Sequence, residues 1–292
     1  MKDIIEYLQN LLKAKYLGEY PSGHMRAQIL RFQLLDDSKK VIAKIAEKSN
    51  LEASKDIEAN LIGYNQIKAI GGKDILSSYL REVVTDDAKV LIMNDFGPSI
   101  KNNNSGLVGA KLLWENFRNI IISTRQEIPV KADTLPLFVS EVLSFIEEFA
   151  GKGKTDLVDL IRHTNLSDNY GRPALMLLDF TPDNLFLTNE GLSFIDLWKQ
   201  DGYLGHPAVS IGQFLTLTRI YNLLDNKEIA DFLRLSCLEE LPNLLACSVS
   251  SIEKSLRLGS TLQLILSAYV RQESDPTTAQ SFRDEARRMW TT

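Results

Sequence analysis

Cysteine and histidine are scarce in this chain of 292 residues, which has two of the first and three of the second. Cys237 and Cys247 lie in sequence with helical periodicity and without metal-ligand spacing, so we expect them to be buried thiols of a cytoplasmic protein. His24, His163 and His206 are far apart in the sequence and form no ligand motif. The sequence therefore offers no cysteine–histidine metal site.

Long apolar runs and an excess of basic charge are also missing. No uninterrupted apolar stretch approaches the ~20 residues of a membrane span, and the segment Met1–Glu6 carries acidic residues where a signal peptide would be apolar. The net charge of −5 argues against non-specific nucleic-acid binding. With 44% hydrophobic and 24% charged residues, the composition is that of a globular protein large enough for two lobes.

The first ninety residues alternate between helical and strand patterns. Apolar positions from Ile4 to Leu12 predict an amphipathic helix, and residues 25–35 predict a strand. A second strand, residues 41–46, has a lysine in its middle. Alternation places Lys44 on the same face as Ile42 and Ala46. A lysine on that face needs an acid or a phosphate as partner, unless the strand lies at an edge and the side chain reaches water.

A helix is predicted over residues 53–70, ending at Gly71-Gly72. Its apolar stripe consists of Ile57, Leu61, Tyr64 and Ile67. Glu58 lies early in this helix beside the stripe and is the candidate partner of Lys44. Glu52 is the second choice, and a plain surface role for Glu58 is the alternative. Residues 75–84 and 89–93 predict two more strands. Most of the chain after Lys101 has helical periodicity.

The stretch from Ala174 to Leu197 places three oxygen-bearing side chains beside apolar strand residues. Asp179, Asn184 and Asp196 would be costly there unless they bind something. Carboxylate and amide oxygens are the ligands that Mg²⁺ prefers, together with phosphate oxygens. The alternative is a plain hairpin, because residues 181–184 and 189–191 are good turn sequences by themselves.

Two motifs in this stretch carry a family resemblance. The segment Leu178-Asp-Phe-Thr-Pro-Asp-Asn184, followed by Phe194-Ile-Asp-Leu-Trp198, resembles the Asp-x-x-Pro-x-Asn and Ile-Asp-Trp pattern of the aminoglycoside phosphotransferase and choline kinase superfamily. The strand Val41-Ile-Ala-Lys44 is similar to the lysine-bearing strand of kinases. These relatives are small-molecule kinases with a protein-kinase-like fold.

The resemblance implies an α+β, bilobal, protein-kinase-like fold. Residues 1–95 would form a mainly antiparallel N-terminal sheet lobe that binds nucleotide, and residues 96–292 a mostly α-helical C-terminal lobe with the catalytic loop and the acceptor site. The implied activity is ATP- and Mg²⁺-dependent phosphoryl transfer to a hydroxyl of a small molecule. GTP in place of ATP stays open, as do the oligomeric state and the acceptor, for which an aminoglycoside or an amino alcohol is one possibility.

The same resemblance assigns roles to the polar residues. Lys44 would hold the α and β phosphates and Glu58 would orient it, while Asn184 and Asp196 would bind magnesium. Asp179 would accept the proton of the attacking hydroxyl. By position in the chain, Asn94 and Phe96 would present main-chain groups to the adenine.

Some positions depart from the family pattern. Leu177 and Leu178 stand where the family has His-Gly, and His206 and Ser210 stand where it has two acids. We expect Ser210 to cap a helix that begins near Ile211. The departures at Leu177, Leu178 and Ser210 keep a second hypothesis open, in which the chain is a non-catalytic, kinase-like module that binds nucleotide or regulates a partner.

Overall fold

The structure is a computed structural model. It describes residues 2–20, 27–70, 79–100, 106–127, 140, 171–177, 180–188, 191–195, 203–220 and 227–291. Within these ranges an antiparallel sheet comes first, and helices make up most of the rest. This arrangement confirms the predicted α+β class.

Five strands form the N-terminal sheet, in the order β1-β2-β3-β5-β4 with every neighbour antiparallel. They are β1 (Ala14–Glu19), β2 (Gln28–Leu34), β3 (Lys40–Glu47), β4 (Tyr79–Val84) and β5 (Ala88–Asn94). The central strand β3 is buried from Val41 to Ala46, on both of its faces. Strand β1 was not predicted from the sequence.

Helices cover the two faces of this sheet. The outer face packs Leu30, Val41 and Ala43 against Leu8 of α1 (Lys2–Leu12). The inner face belongs to a larger apolar cluster that includes Ile42 and Ala46 and that continues into the helices after the sheet. Helix α2 (Leu51–Ala69) packs on this inner face, next to β3 and β5. Ile42 and Ala46 lie on the inner face, as the alternation of the sequence predicts.

The part after the sheet is built from helices with two short strand pairings. The helices are α3 (Gly106–Thr124), α4 (Ala208–Ile220), α5 (Lys227–Leu245), α6 (Val249–Arg271) and α7 (Pro276–Thr291). Strand β6 (Ala174–Met176) pairs with β9 (Tyr203–Gly205), and β7 (Leu185–Thr188) pairs with β8 (Gly191–Phe194). Among the described helices, none is long and apolar enough to cross a membrane.

Helices α4 and α6 cross at two glycines. A Cβ on Gly212 would stand 2.1 Å from the carbonyl oxygen of Leu256, and a Cβ on Gly259 would stand 1.9 Å from that of Val209. Only glycine permits so close an approach of two backbones. Gly259 lies inside the continuous helix α6 and permits its close packing on α4.

Candidate active site

Lys44 occupies the middle of β3, opposite Ile29 of β2 and Leu91 of β5. Lys44 is only 5% exposed, and its Nζ donates a hydrogen bond to the Oδ1 of Asn60 at 3.2 Å. Asn60 is itself 4% exposed. Because β3 is paired on both sides, the edge-strand alternative for Lys44 is wrong. A buried ammonium held in this way has a defined position on the inner side of the sheet.

The expected pair between Lys44 and Glu58 is wrong. Glu58 forms an ion pair with Lys89, and its side chain is 54% exposed. The reason is the orientation of α2, whose buried positions include Ala53, Ile57 and Asn60. Glu58 follows Ile57 by one residue, a turn of about 100° around the helix, and so it points beside the buried face. Asn60 occupies the position that we expected Glu58 to fill.

The sequence does carry a signal for Asn60. It lies three residues after Ile57 and four before Tyr64, and residues at these spacings share one face of a helix. A polar side chain on an otherwise apolar helix face needs a partner. The amide of Asn60 is missed when only acidic residues are considered as partners of Lys44.

The segment that leaves the sheet after β5 begins at Asn94, the last residue of that strand. The main-chain N–H of Asp95 donates to the carbonyl of Lys40 at 3.0 Å. The ring of Phe96 packs against that of Phe186 in β7, with the centroids 5.9 Å apart. In the described part of the chain, no group accepts a hydrogen bond from the main-chain N–H of Phe96.

The residues on either side of Leu178 and Asp179 are anchored in the core. The hydroxyl of Ser210 accepts from the N–H of Leu177 at 2.9 Å and donates to its carbonyl at 2.8 Å. Ser210 is fully buried in the first turn of α4. The expectation that Ser210 caps a helix near Ile211 is therefore wrong: α4 begins at Ala208, and the hydroxyl bonds to another segment.

Phe180 anchors the other side of Asp179 with an aromatic cluster. Its ring centroid lies 5.0 Å from Phe117 of α3, 5.8 Å from Phe194 of β8 and 5.5 Å from Phe214 of α4. Tilted rings at such distances attract each other beyond the burial of their area. The two neighbours of the Leu178–Asp179 dipeptide are thus fixed by different parts of the fold.

Asn184 closes a turn and begins the β7–β8 hairpin. Its N–H donates to the carbonyl of Thr181 at 3.0 Å, which gives the turn that Pro182 favours at its second position. The N–H of Ile195 in turn donates to the carbonyl of Asn184 at 3.1 Å. The hairpin thus brings Ile195, the residue that precedes Asp196 in the chain, next to Asn184.

Not every predicted site residue falls within the described structure. Lys44, Glu58, Asn94, Phe96 and Asn184 are described, whereas Asp179 and Asp196 lie outside the described residues. The described residues next to all three polar positions of the motif do belong to one apolar cluster: Leu177 and Phe180 flank position 179, Leu185 follows Asn184, and Phe194 precedes position 196 by two residues.

A buried histidine lies just before α4, three residues after the beginning of β9. Burial lowers the pKa of His206 to about 3, so that its ring is neutral in the folded protein. Its Nε2 is 3.8 Å from the Sγ of Cys247. Burial also raises the pKa of Cys247 to about 11, and it raises the pKa of Cys237. Neither thiol is therefore ionised at neutral pH. The prediction of buried thiols is confirmed for Cys237, whereas Cys247 is only partly buried.

Comparison of the amino-acid sequence with family models and with curated proteins finds no match. Comparison of the fold, in contrast, finds many solved structures. They define the class of fold: the chain has the bilobal, protein-kinase-like fold of aminoglycoside phosphotransferases and choline kinases.

Three solved structures illustrate the likeness. The choline kinase LicA from Streptococcus pneumoniae is 14% identical with a TM-score of 0.60, over 99% of this chain and 98% of its own. An aminoglycoside-3'-phosphotransferase of type VIII is 15% identical with a TM-score of 0.61, over 90% and 97%. A Plasmodium vivax ethanolamine kinase is 13% identical with a TM-score of 0.56, over 98% and 84%. The predicted resemblance is thereby confirmed at the level of the fold.

Proposed function

We propose that this protein is a phosphotransferase that moves the terminal phosphoryl group of ATP to a hydroxyl of a small molecule. The observation that carries the proposal is Lys44, a buried lysine in the central strand of a kinase-like sheet, held by Asn60 at 3.2 Å. The choline kinase LicA has been solved with AMP, and a spectinomycin phosphotransferase with a TM-score of 0.52 has been solved with ADP and spectinomycin. A nucleotide site in the same fold supports the assignment.

In this proposal, residues 1–95 form the lobe that binds the nucleotide, and residues 96–292 form the lobe that holds the catalytic loop and the acceptor site. Lys44 binds the α and β phosphates, with Asn60 in place of Glu58 as the group that positions its ammonium. Main-chain groups of Asn94 and Phe96 bind the base. A main-chain N–H at Phe96 that no described residue uses supports the second of these roles.

Asn184 and Asp196 supply an amide oxygen and a carboxylate, which is a hard-oxygen donor set that fits Mg²⁺. Bound magnesium would neutralise charge on the β and γ phosphates. The turn at Asn184, and the hydrogen bond that its carbonyl accepts from the N–H of Ile195, support the role of Asn184. Asp179 orients the acceptor hydroxyl and takes its proton as the new P–O bond forms, and ADP leaves. Catalysis is then mainly positioning and charge stabilisation.

The alternative of a non-catalytic module rests on the departures from the family pattern at Leu177, Leu178 and Ser210. Ser210 argues against it, because its hydroxyl bonds both main-chain groups of Leu177, two residues before Asp179. A serine at this position thus still ties the loop to α4. We therefore favour the enzyme.

The proposal is tested by transfer of labelled γ-phosphate from ATP to a panel of amino alcohols and aminoglycosides in the presence of Mg²⁺. We expect one class of acceptor to be phosphorylated. Asp179→Ala should abolish transfer and leave ATP binding nearly intact, because the side chain acts on the acceptor. Asp183→Ala, which removes an exposed carboxylate from the same loop, is the matched control and should retain activity. Transfer by Asp179→Ala at the wild-type rate would show that the role is wrongly assigned.

A further inference from the structure

An arginine and an aspartate meet at the junction of the sheet and the segment after β5. The Nε and Nη2 of Arg31 donate to the Oδ2 of Asp95 at 2.8 and 2.6 Å. The side chain of Asp95 is 4% exposed and that of Arg31 is 32% exposed. Charge-assisted hydrogen bonds of this length, with one partner buried, are among the stronger polar contacts in proteins.

The second carboxylate oxygen of Asp95 holds the next residues of the chain. Its Oδ1 accepts a hydrogen bond from the N–H of Gly97 at 3.0 Å, while the N–H of Asp95 donates to the carbonyl of Lys40 at 3.0 Å. One residue thus ties the end of β5 to β2, to β3 and to Gly97. Phe96 lies between the two bonded residues, so its main-chain orientation is set by this arrangement.

Arg31 is in turn fixed from the side of β1. Its guanidinium lies 5.3 Å from the ring centroid of Tyr20, within the range of a cation–π contact. The N–H of Tyr20 donates to the carbonyl of Ile29 at 2.9 Å, which continues the β1–β2 pairing by one residue. Arg31 lies in register with Ile42 of β3, a residue of the inner face. The pair therefore stands on the nucleotide side of the sheet.

We propose that Arg31 and Asp95 are positioning residues that set the main-chain geometry of Asn94–Gly97 and thereby the affinity for the base of the nucleotide. The inference rests on the proposed nucleotide site and extends it to two side chains that do not contact phosphate. A segment held in its binding geometry before the ligand arrives loses less entropy on binding. Loss of the pair weakens contacts to the base and leaves contacts to the phosphates, made at Lys44, in place.

The test compares two ligands on the same variants. Mg²⁺–ATP carries a base and Mg²⁺–tripolyphosphate does not, and the dissociation constant of each is measured by calorimetry. Asp95→Asn retains an Oδ1 acceptor for Gly97 but replaces the oxygen that receives Arg31, and Arg31→Gln removes the cation. We expect each variant to bind ATP about tenfold more weakly, as befits the loss of charge-assisted bonds, with tripolyphosphate binding unchanged.

Two controls separate positioning from loss of folding. Arg219→Gln breaks a similar pair with Glu285, 2.6 Å long, between α4 and α7, and should leave binding of both ligands unchanged. Arg31→Lys keeps the charge and one donor, and should recover part of the ATP affinity. An equal loss of affinity for ATP and tripolyphosphate, or an unchanged ATP affinity in Asp95→Asn and Arg31→Gln, would overturn the inference. A wild-type protein that binds neither ligand would contradict the proposed function instead.

Discussion

Lys44 is held by the amide of Asn60, where we expected the carboxylate of Glu58. Both Lys44 and Asn60 are buried, so the hydrogen bond between them is protected from water and fixes where the ammonium stands. Glu58 pairs instead with Lys89, and its side chain is largely in solvent. An ion pair with one exposed member contributes little to stability. Substitutions of Asn60 and of Glu58, both in α2, should therefore affect ATP binding differently.

Asn60→Leu should weaken ATP binding, because it removes the acceptor and keeps the volume of the side chain. The loss of one such hydrogen bond corresponds to about 1 kcal/mol, or several-fold in the dissociation constant. Glu58→Ala is the matched control from the same helix, and we expect it to leave ATP binding unchanged. Calorimetric titration of both variants checks this. A larger loss in Glu58→Ala than in Asn60→Leu would restore Glu58 as the partner of Lys44.

His206 should make the stability of the protein depend on pH. Its pKa is about 3 in the folded state against an ordinary value of 6.5, so the unfolded chain binds a proton below pH 6.5 that the folded chain does not. The neutral His206 makes its full contribution to the free energy of unfolding above pH 6.5. As the pH falls below 6.5, this contribution decreases by about 1.4 kcal/mol per pH unit. Urea unfolding at pH 7.5, 6.5 and 5.5 measures the slope.

The variant His206→Gln isolates this contribution. It has no ionisable group at the position, so its stability should fall less steeply between pH 6.5 and 5.5 than that of the wild type. Cys247, 3.8 Å away, stays neutral over this range because burial raises its pKa to about 11. Identical slopes in the wild type and the variant would show that His206 does not cause the pH dependence.

At the scale of elements, Ser210 joins helix α4 to Leu177, the residue that follows strand β6. Ser210→Ala leaves the N–H and the carbonyl of Leu177 without this partner in a buried place. We expect the free energy of unfolding to fall by about 1–3 kcal/mol. We also expect kcat to fall with little change in the KM for ATP, because the segment that precedes Asp179 loses an anchor at Leu177. Denaturant unfolding and steady-state kinetics check the two effects.

Ser255→Ala is the matched control for this variant. Ser255 is also a buried serine of the helical part, but its hydroxyl has no hydrogen-bond partner in the described part of the chain. Its removal should change neither stability nor kcat by much. If both alanine variants behave alike, the contacts of Ser210 to Leu177 do not position the loop.

The crossing of α4 and α6 makes a second prediction at this scale. Gly259→Ala would place a Cβ 1.9 Å from the carbonyl oxygen of Val209, so the helices must separate. Forcing atoms into a tight core costs about 1–3 kcal/mol, although alanine is the better helix former. Ser250→Ala, at an exposed position of α6, should cause no loss. Thermal unfolding compares them, and an unchanged midpoint for Gly259→Ala would contradict the close crossing.

Periodicity in the sequence predicted most elements but not their exact ends or partners. Strands β2, β3 and β5 and helix α2 lie where alternation and the apolar stripe indicate. Strand β1 was missed because the residue types of Ala14–Glu19 do not alternate between apolar and polar, although the burial of the strand does alternate. It is held by main-chain pairing with β2, which no side-chain pattern records.

For the site, the sequence motif indicates candidate residues but not the contacts that support them. The residue types at Lys44, Asn184 and the positions 179 and 196 carry the family pattern. The supporting contacts do not, because they join residues far apart in the chain: Arg31 with Asp95, and Ser210 with Leu177. Glu58 and Asn60 lie on neighbouring faces of helix α2. Which of them reaches Lys44 depends on how the helix is rotated about its axis in the fold.

For the whole molecule, one apolar cluster runs from the inner face of the sheet through α2 and α3 to the helices after residue 200. A second cluster, between the outer face of the sheet and α1, is confined to the first part of the chain. The continuous cluster ties the proposed nucleotide-binding strands to the segments that flank Asp179. We therefore expect nucleotide binding to stabilise the protein as a unit.

The measurement that tests the phosphotransferase account most directly is thermal unfolding with ATP, with ATP plus Mg²⁺, and with GTP. A ligand that binds only the folded state stabilises it by about 2.7 kcal/mol at a hundred times its dissociation constant. The account predicts a higher midpoint with nucleotide, a further rise with Mg²⁺, and loss of the Mg²⁺-dependent part in Asp196→Ala. No shift with any nucleotide, at concentrations well above millimolar affinity, would contradict it.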